Sequence, residues 1–473
     1  MRALLFAPLS LTLVAQSAEE MTTTLKDQKS LAVTIYNESL ALVKDQRELR
    51  LPKGDARLAF QEVAARIRPE TALLRDLTEP KGFWIYEQNF DFDLLTPQKL
   101  LEKYVGEKVT VLGTKDGHET KEEATVLATN SGTVLQFADR IETSVPGRLV
   151  FPKVPGNLRA RPTLVLSLHS PSEKPQRLEL SYLTGGLSWK ADYVASLAAD
   201  EKTLDLNGWV TLTNQSGAAY PDATLQLVAG DVNQVKEIRA REVMMPPPAP
   251  RMVKASAPEM KEETLFEYHL YTLDRPTTLK ENQTKQVALL SASQVPVRKE
   301  FLLGGQAYYY QGSYSDLGDK LKVGVFMEFD NRVENRMGMP LPKGTIRVYK
   351  QDSEGRSQFV GEDAIDHTPR NEKVRLKLGD AFDVTAHRKQ TDFKNLGKQG
   401  RWNMVVESAF QVELKNAKKE AVTVNVVEPI WGDWEVVEHN QPFTKEASGS
   451  ARFKVSVPAD GSATLTYRVR TKW

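Results

Sequence analysis

Two aromatic clusters are the residues of this chain best suited to recognition chemistry. Tyr308-Tyr309-Tyr310 stands between Gly304-Gly305 and Gly312, with Tyr314 just beyond. In an extended strand Tyr308 and Tyr310 share one face and Tyr309 takes the other. A glycine-flanked tyrosine run offers a flat surface for sugar rings or for protein backbone. The plainer alternative is a hairpin whose tyrosines pack over a core edge, because aromatics favour strands and pair across them. The second cluster is Trp431-Gly432-Asp433-Trp434-Glu435. Indole rings stack on the apolar faces of sugars while neighbouring carboxylates accept hydroxyl hydrogen bonds, and polar-tipped aromatics suit wet interfaces. The plainer alternative places one Trp in a core and the other on a loop. Tyr308, Tyr309, Tyr310, Trp431 and Trp434 are the candidate ligand or partner surface.

Catalytic patterns are missing from the chain. There is no G-x-S-x-G elbow and no S-x-x-K pair. His118-Glu119 lacks the second histidine of H-E-x-x-H, and no phosphate-binding glycine loop occurs. The six histidines, at 118, 169, 269, 367, 387 and 439, are dispersed in sequence, so no metal site and no cofactor is expected. A glycoside hydrolase needs two carboxyl groups roughly 5 to 9.5 Å apart. Spacing in sequence does not locate such a pair among 62 acidic residues. A carbohydrate-active hydrolase with paired carboxylates in an interdomain cleft is therefore the alternative to a non-catalytic protein. Asp205-Leu206-Asn207-Gly208 has part of a calcium loop, but its glycine comes too early. It reads instead as a hairpin turn.

The elements that position these groups are strands. After residue 30 the apolar period is two, which predicts an all-β fold of sandwich and immunoglobulin-like units with few short helices. Residues 21–95 read as an N-terminal β-rich domain, with a short helix near Gln61–Ile67. Thr96–Val105 is the clearest helix: Thr96 caps it, Pro97 suits its first turn and Gly106 ends it. Short strands then suggest a small SH3-like barrel over 96–155. Residues 156–379 read as a β-sandwich domain interrupted at 236–263 by a loop rich in Pro and Met. Residues 380–473 read as an immunoglobulin-like domain with strands near 405–414, 421–427, 451–457 and 463–470. The alternation of Tyr467, Val469, Thr471 and Trp473 with Arg468, Arg470 and Lys472 marks its final strand. An aromatic-ended strand of that kind also occurs in outer-membrane barrels, but the polar and proline-rich tracts do not supply a barrel's other strands.

The N-terminus bears on compartment. Met1-Arg2 is followed by an uncharged, mostly apolar run to Val14 and by small residues at 15–18. This predicts a secretory signal peptide over residues 1–18 and a periplasmic or secreted protein. No apolar run in the remaining chain is long enough for a transmembrane helix. Lys+Arg number 63 and Asp+Glu 62, so no global field draws in nucleic acid. Residues 96–155 carry eight basic and eight acidic residues, so nucleic acid is not expected as a partner there either. Cysteine is absent, which excludes disulfides, thiolate metal sites and a cysteine nucleophile.

Several stretches together carry a family resemblance. They are Tyr182–Leu197, Gly208–Val228, Phe266–Leu290, Pro340–Tyr349, Phe359–Gly379 and Glu413–Pro429. In this order, over about 180–473, the chain resembles a bacterial domain-of-unknown-function family whose longer members are called mucoidy-inhibitor-like proteins. Those members carry a coiled coil ahead of this region; no sustained heptads occur here. The resemblance implies an exported β-rich envelope protein loosely connected with surface polysaccharide, and it brings no catalytic residues. The resulting expectation is a non-catalytic envelope protein acting by binding or scaffolding, with an envelope protein or a polysaccharide as partner.

Overall fold

The computed structural model describes residues 20–115, 118–155, 158–230, 232–233, 260–314, 317–446 and 449–473. The expected signal peptide and most of the Pro/Met-rich stretch lie outside the described residues. The end of that stretch is a strand, Met260–Leu265, which turns at Phe266 into the strand Tyr268–Leu273. The fold is all-β. Among the described residues no helix is long and apolar enough to cross a membrane.

The chain divides into two compact units. The first comprises residues up to 189 with 212–228 and 272–285. One of its sheets orders the strands Glu20–Thr23, Gly54–Gln61, Thr163–Ser170 and Trp84–Asp91. Another runs Gln28–Tyr36, Leu40–Arg50, Pro175–Gly185 and Leu73–Asp76. The alternation seen from residue 31 has its cause here: Leu31, Val33 and Ile35 are buried on one face. The helix is real but shorter than expected, Pro97–Lys103, with the Thr96 hydroxyl accepting from the Lys99 amide at 3.1 Å. The expected helix near Gln61–Ile67 is absent; a 3-10 turn, Pro69–Thr71, follows that stretch.

The short strands of residues 108–150 form a five-stranded antiparallel sheet packed on that helix through Leu101 and Tyr104. The expected small barrel does not close. The outermost strands, Ile141–Glu142 and Arg148–Val150, stand at opposite ends of the sheet. Strands of two and three residues have too few ladder bonds to close a barrel.

The second unit comprises residues 190–211, 229–271 and 286–473. Its five-stranded sheet orders Gln283–Pro296, Thr203–Asn214, Leu187–Leu197, Gly344–Gln351 and Ser357–Ile365. Asp205–Gly208 is not a hairpin turn but the interior of one of these strands. Gly208 serves packing instead: a Cβ there would lie 3.0 Å from Leu290 Cγ and 3.1 Å from the Tyr193 ring.

The last sheet of this unit has nine strands. Their order is Asp433–His439, Gly461–Lys472, Trp402–Asn416, Lys373–Gln399, Leu321–Asp330, Arg298–Gly304, Val422–Pro429, Ser450–Val457 and Phe443–Glu446. The four strands expected after residue 380 are all present. They share their sheet with two strands from before 331, and Lys373–Gln399 runs through residue 380 without a break. Tyr467 and Phe453 belong to strands standing second and eighth in the order, yet their rings are 4.9 Å apart. The sheet therefore folds over so that its two wings face each other as a sandwich. One apolar cluster fills the interior, with Val422, Val424 and Val426 from one wing and Phe410, Val412 and Leu465 from the other.

Candidate functional site

An ionic cluster sits inside this sandwich. Arg388 and Glu428 are both fully buried, with Nη2 and Oε1 2.5 Å apart. The Tyr310 hydroxyl donates to the other carboxylate oxygen at 2.9 Å and lies 3.3 Å from the Tyr467 hydroxyl. Burial and then the Glu428 charge push the Tyr310 phenol well above its ordinary value, so it stays protonated and donates. Burial also pushes the Glu428 carboxyl up, against the pull of Arg388 and the two phenols. Burial works hardest against the Arg388 charge, but Glu428 and the Tyr467, Tyr310 and Tyr309 phenols together outweigh it and raise its pKa. Gly305 leaves the room this cluster needs: a Cβ there would lie 2.0 Å from Glu428 Oε2.

The tyrosine run departs from the strand expectation. Ala307–Tyr310 is a 3-10 turn, closed by Tyr309 N–H to Gln306 O at 3.1 Å and Gln311 N–H to Tyr308 O at 3.0 Å. Gln390 holds it from the neighbouring strand, donating to Tyr309 O and Gly312 O and accepting from the Tyr314 amide at 2.6 Å. Three residues make one 3-10 turn, so Ala307 and Tyr310 are eclipsed on one side. Tyr309 and Tyr310 are buried in the core, and Tyr308 is half exposed, edge-on to Tyr309 at 4.7 Å.

The tryptophan cluster splits in the same way. Gly432 has φ +76°, where a side chain would be strained, and its missing Cβ would lie 2.6 Å from Lys472 O. This turn throws Trp431 outward, 71% exposed, and sends Trp434 inward, 5% exposed. Trp434 packs in the core, with the Lys445 ammonium 4.0 Å from its ring centre.

The two clusters meet at one cavity of about 540 Å³. Tyr310, Trp431 and Trp473 supply its aromatic lining; Ala307, Gln311, Gly432 and Thr471 complete it. Thr471 lies near the end of the final strand, and Trp473 follows its last residue, Lys472. Met404 anchors that end through backbone bonds to Trp473 of 3.0 Å in both directions. Thr471 is 1% exposed, and its hydroxyl has no hydrogen-bond partner among the described residues. Of the five expected surface residues, Tyr310 and Trp431 reach the cavity; Tyr308 is not among its lining residues, and Tyr309 and Trp434 lie in the core. Thr471 and Trp473 carried a visible signal, the alternation of the last strand, but that pattern alone does not separate core from cavity. Arg388 and Glu428 carried none.

This is a binding geometry. Its volume falls in the range of small-ligand sites, roughly 300–1,000 Å³, which are mostly apolar with a few placed polar groups. No carboxylate side chain is among the lining residues; Glu428 is tied to Arg388 behind Tyr310. Among the described residues, no group of three or more His, Asp or Glu side chains is gathered as metal donors would be. Fold and cavity together define an all-β protein with an aromatic-lined cavity at one end of its C-terminal sandwich. The chain belongs to the family described as Domain of unknown function (DUF4139), whose model matches residues 178–473 and so takes in the whole cavity. No curated protein matches the chain.

Proposed function

We propose that this chain is an exported, non-catalytic binding protein of the bacterial envelope, and that its aromatic cavity takes sugar units of a surface polysaccharide. The observation that carries this reading is the cavity lining, which brings one tyrosine and two tryptophan rings together. Sugar rings offer an apolar C–H face for the indoles. Export is supported by the residue pattern of positions 1–18. The polysaccharide connection is supported by the resemblance to mucoidy-inhibitor-like proteins over the same stretch that holds the cavity.

Thermal unfolding of the full chain against a panel of envelope glycans tests the reading. A ligand at one hundred times its Kd adds about 2.7 kcal/mol. At least one glycan should raise the melting temperature of the wild type and leave a Trp431→Ala/Trp473→Ala variant unmoved. No shift with any glycan, or an equal shift in the variant, refutes it.

A further inference from the structure

We infer that the chain carries one eight-strand unit twice, with the Asn214 and Asn416 side chains as the same clamp in each copy. The first copy takes Gln28–Tyr36, Leu40–Arg50, Pro175–Gly185, Leu187–Leu197, Thr203–Asn214, Tyr220–Ala229, Thr277–Leu279 and Gln283–Pro296. The second takes Arg298–Gly304, Leu321–Asp330, the two halves of Lys373–Gln399, then Trp402–Asn416, Val422–Pro429, Ser450–Val457 and Gly461–Lys472. In each copy the first strand pairs antiparallel with the second and parallel with the sixth. The second pairs antiparallel with the third, and the sixth with the seventh. The fifth stands between the fourth and the eighth. Insertions enter at the same places. Residues 51–174 and 331–372 both lie between the second and third strands. Between the sixth and seventh each copy adds a pair of strands, Met260–Leu265 with Tyr268–Leu273 and Asp433–His439 with Phe443–Glu446.

The clamp repeats group by group. Asn214 and Asn416 end the fifth strands, are buried, and stand in a shared pattern, Val-x-Leu-x-Asn-x-x-x-x-Ala, that starts at Val210 and at Val412. The Asn214 amide nitrogen donates to Ala218 O at 2.8 Å and Lys280 O at 3.0 Å, and its oxygen accepts from the Ser216 amide at 3.1 Å. The Asn416 nitrogen donates to Glu420 O at 2.8 Å and Pro458 O at 2.9 Å, and its oxygen accepts from the Lys418 amide at 3.0 Å. The next backbone amide, Gln215 or Ala417, donates to Gly186 O at 2.7 Å or Asp383 O at 2.8 Å, where the third strand passes into the fourth. Each clamp holds a three-residue turn between the seventh and eighth strands, 280–282 or 458–460, whose last residue is left-handed: Asn282 at φ +53° and Asp460 at φ +46°. Buried carbonyls at a corner need a donor, but that need alone does not bring the same side chain to the same backbone groups twice. A shared frame does. The connection between the first and second strands is where the copies part. It is three residues, 37–39, in the first and spans 305–320 in the second, where it holds the tyrosine turn. The cavity is therefore built on a part that the first copy lacks.

Thermal unfolding of the full chain tests the repeat. Asn214→Asp and Asn416→Asp keep the oxygen that accepts and lose the nitrogen that donates. Each should lower the melting temperature by at least about 3 °C, and by similar amounts. Asn395→Asp is the control: that side chain is exposed and accepts from the Gly397 amide at 2.9 Å, so this variant should stay within about 2 °C of the wild type. P458K, A459E and D460N together place the first copy's turn in the second copy. All three positions are exposed, and this variant too should stay within about 2 °C; it carries the test by itself where an asparagine variant does not fold. Loss of stability at one asparagine and not at the other overturns the repeat. So does a turn exchange that unfolds more than about 5 °C below the wild type.

Discussion

Replacing Arg388 by methionine would leave the Glu428 carboxylate in the middle of the sandwich with no counter-charge. Both side chains are fully buried and 2.5 Å apart. Removing one partner of such a pair costs about 3–5 kcal/mol. The other groups bonded to Glu428 are the Tyr310 and Tyr467 phenols, which donate hydrogen bonds but carry no charge. Urea unfolding reads the loss as a lower midpoint at unchanged slope. The loss also has a pH signature. Burial already holds the Glu428 carboxyl above its usual value, and losing Arg388 removes a group that pulls it down. A carboxyl raised in the fold binds its proton more readily there than in the unfolded chain. Its contribution is fully present below the unfolded value and is lost as pH rises through the folded one. The R388M deficit should therefore be largest above neutral pH and shrink as pH falls toward 4.5, the usual glutamate value.

Glu428→Gln strands the guanidinium instead. Arginine does not give up its proton, so this deficit should not shrink on acidification. Replacing both members, R388M with E428L, should recover most of either loss, because apolar replacement of a buried pair is often neutral or stabilising. Additive losses in the double variant, or an R388M deficit below about 1 kcal/mol, would refute mutual neutralisation as the reason the pair is tolerated.

Three further outcomes follow from the same coordinates. Gly305→Ala drives a methyl to 2.0 Å from Glu428 Oε2 and should destabilise by about 1–3 kcal/mol, read as a lower melting temperature. Trp434→Ala empties a core position and should cost about 3–5 kcal/mol, whereas Trp431→Ala, at 71% exposure, should stay within about 0.5 kcal/mol. Equal effects in denaturant unfolding would contradict the inward and outward assignment of the two rings. Burial pushes the Glu201 carboxyl up, but the ammonium groups of Lys299 and Lys350 outweigh it and bring it to about 2. A lowered carboxyl contributes stability above its unfolded value of 4.5 and loses it as pH falls toward 2; Glu201→Gln should flatten the stability profile across that window.

Period-two alternation was enough to read the strands of the C-terminal sandwich, because each buries one face. The expected strand 405–414 is the inner part of Trp402–Asn416, and 451–457 is nearly the whole of Ser450–Val457. Three features were illegible for physical reasons. Asp205–Gly208 has the residues of a turn, but Gly208 is there so that the Tyr193 ring can lie against the backbone. The tyrosine run has the propensity of a strand, yet the Gln390 side chain, 76 residues beyond Tyr314, bonds its backbone into a 3-10 turn. Barrel closure over 96–155 turns on the lengths of its end strands, which are the least certain part of any pattern reading. In each case a distant neighbour or a small difference in length overrode the local preference.

The candidate site was half legible for a related reason. Aromatic clustering pointed to Tyr310 and Trp431, but could not tell them from Tyr309 and Trp434, their neighbours in the same clusters. What separates them is geometric: a 3-10 turn that eclipses Ala307 with Tyr310, and a glycine at positive φ that bends the chain between Trp431 and Trp434. Thr471 and Trp473 come from the end of the last strand and the residue after it, far in sequence from the tyrosine turn. The cavity thus exists only once these separate segments are brought together. For that reason replacing Trp431 and Trp473 together, which removes two of its three rings, tests the function of this cavity more directly than Trp434→Ala, which empties a core position.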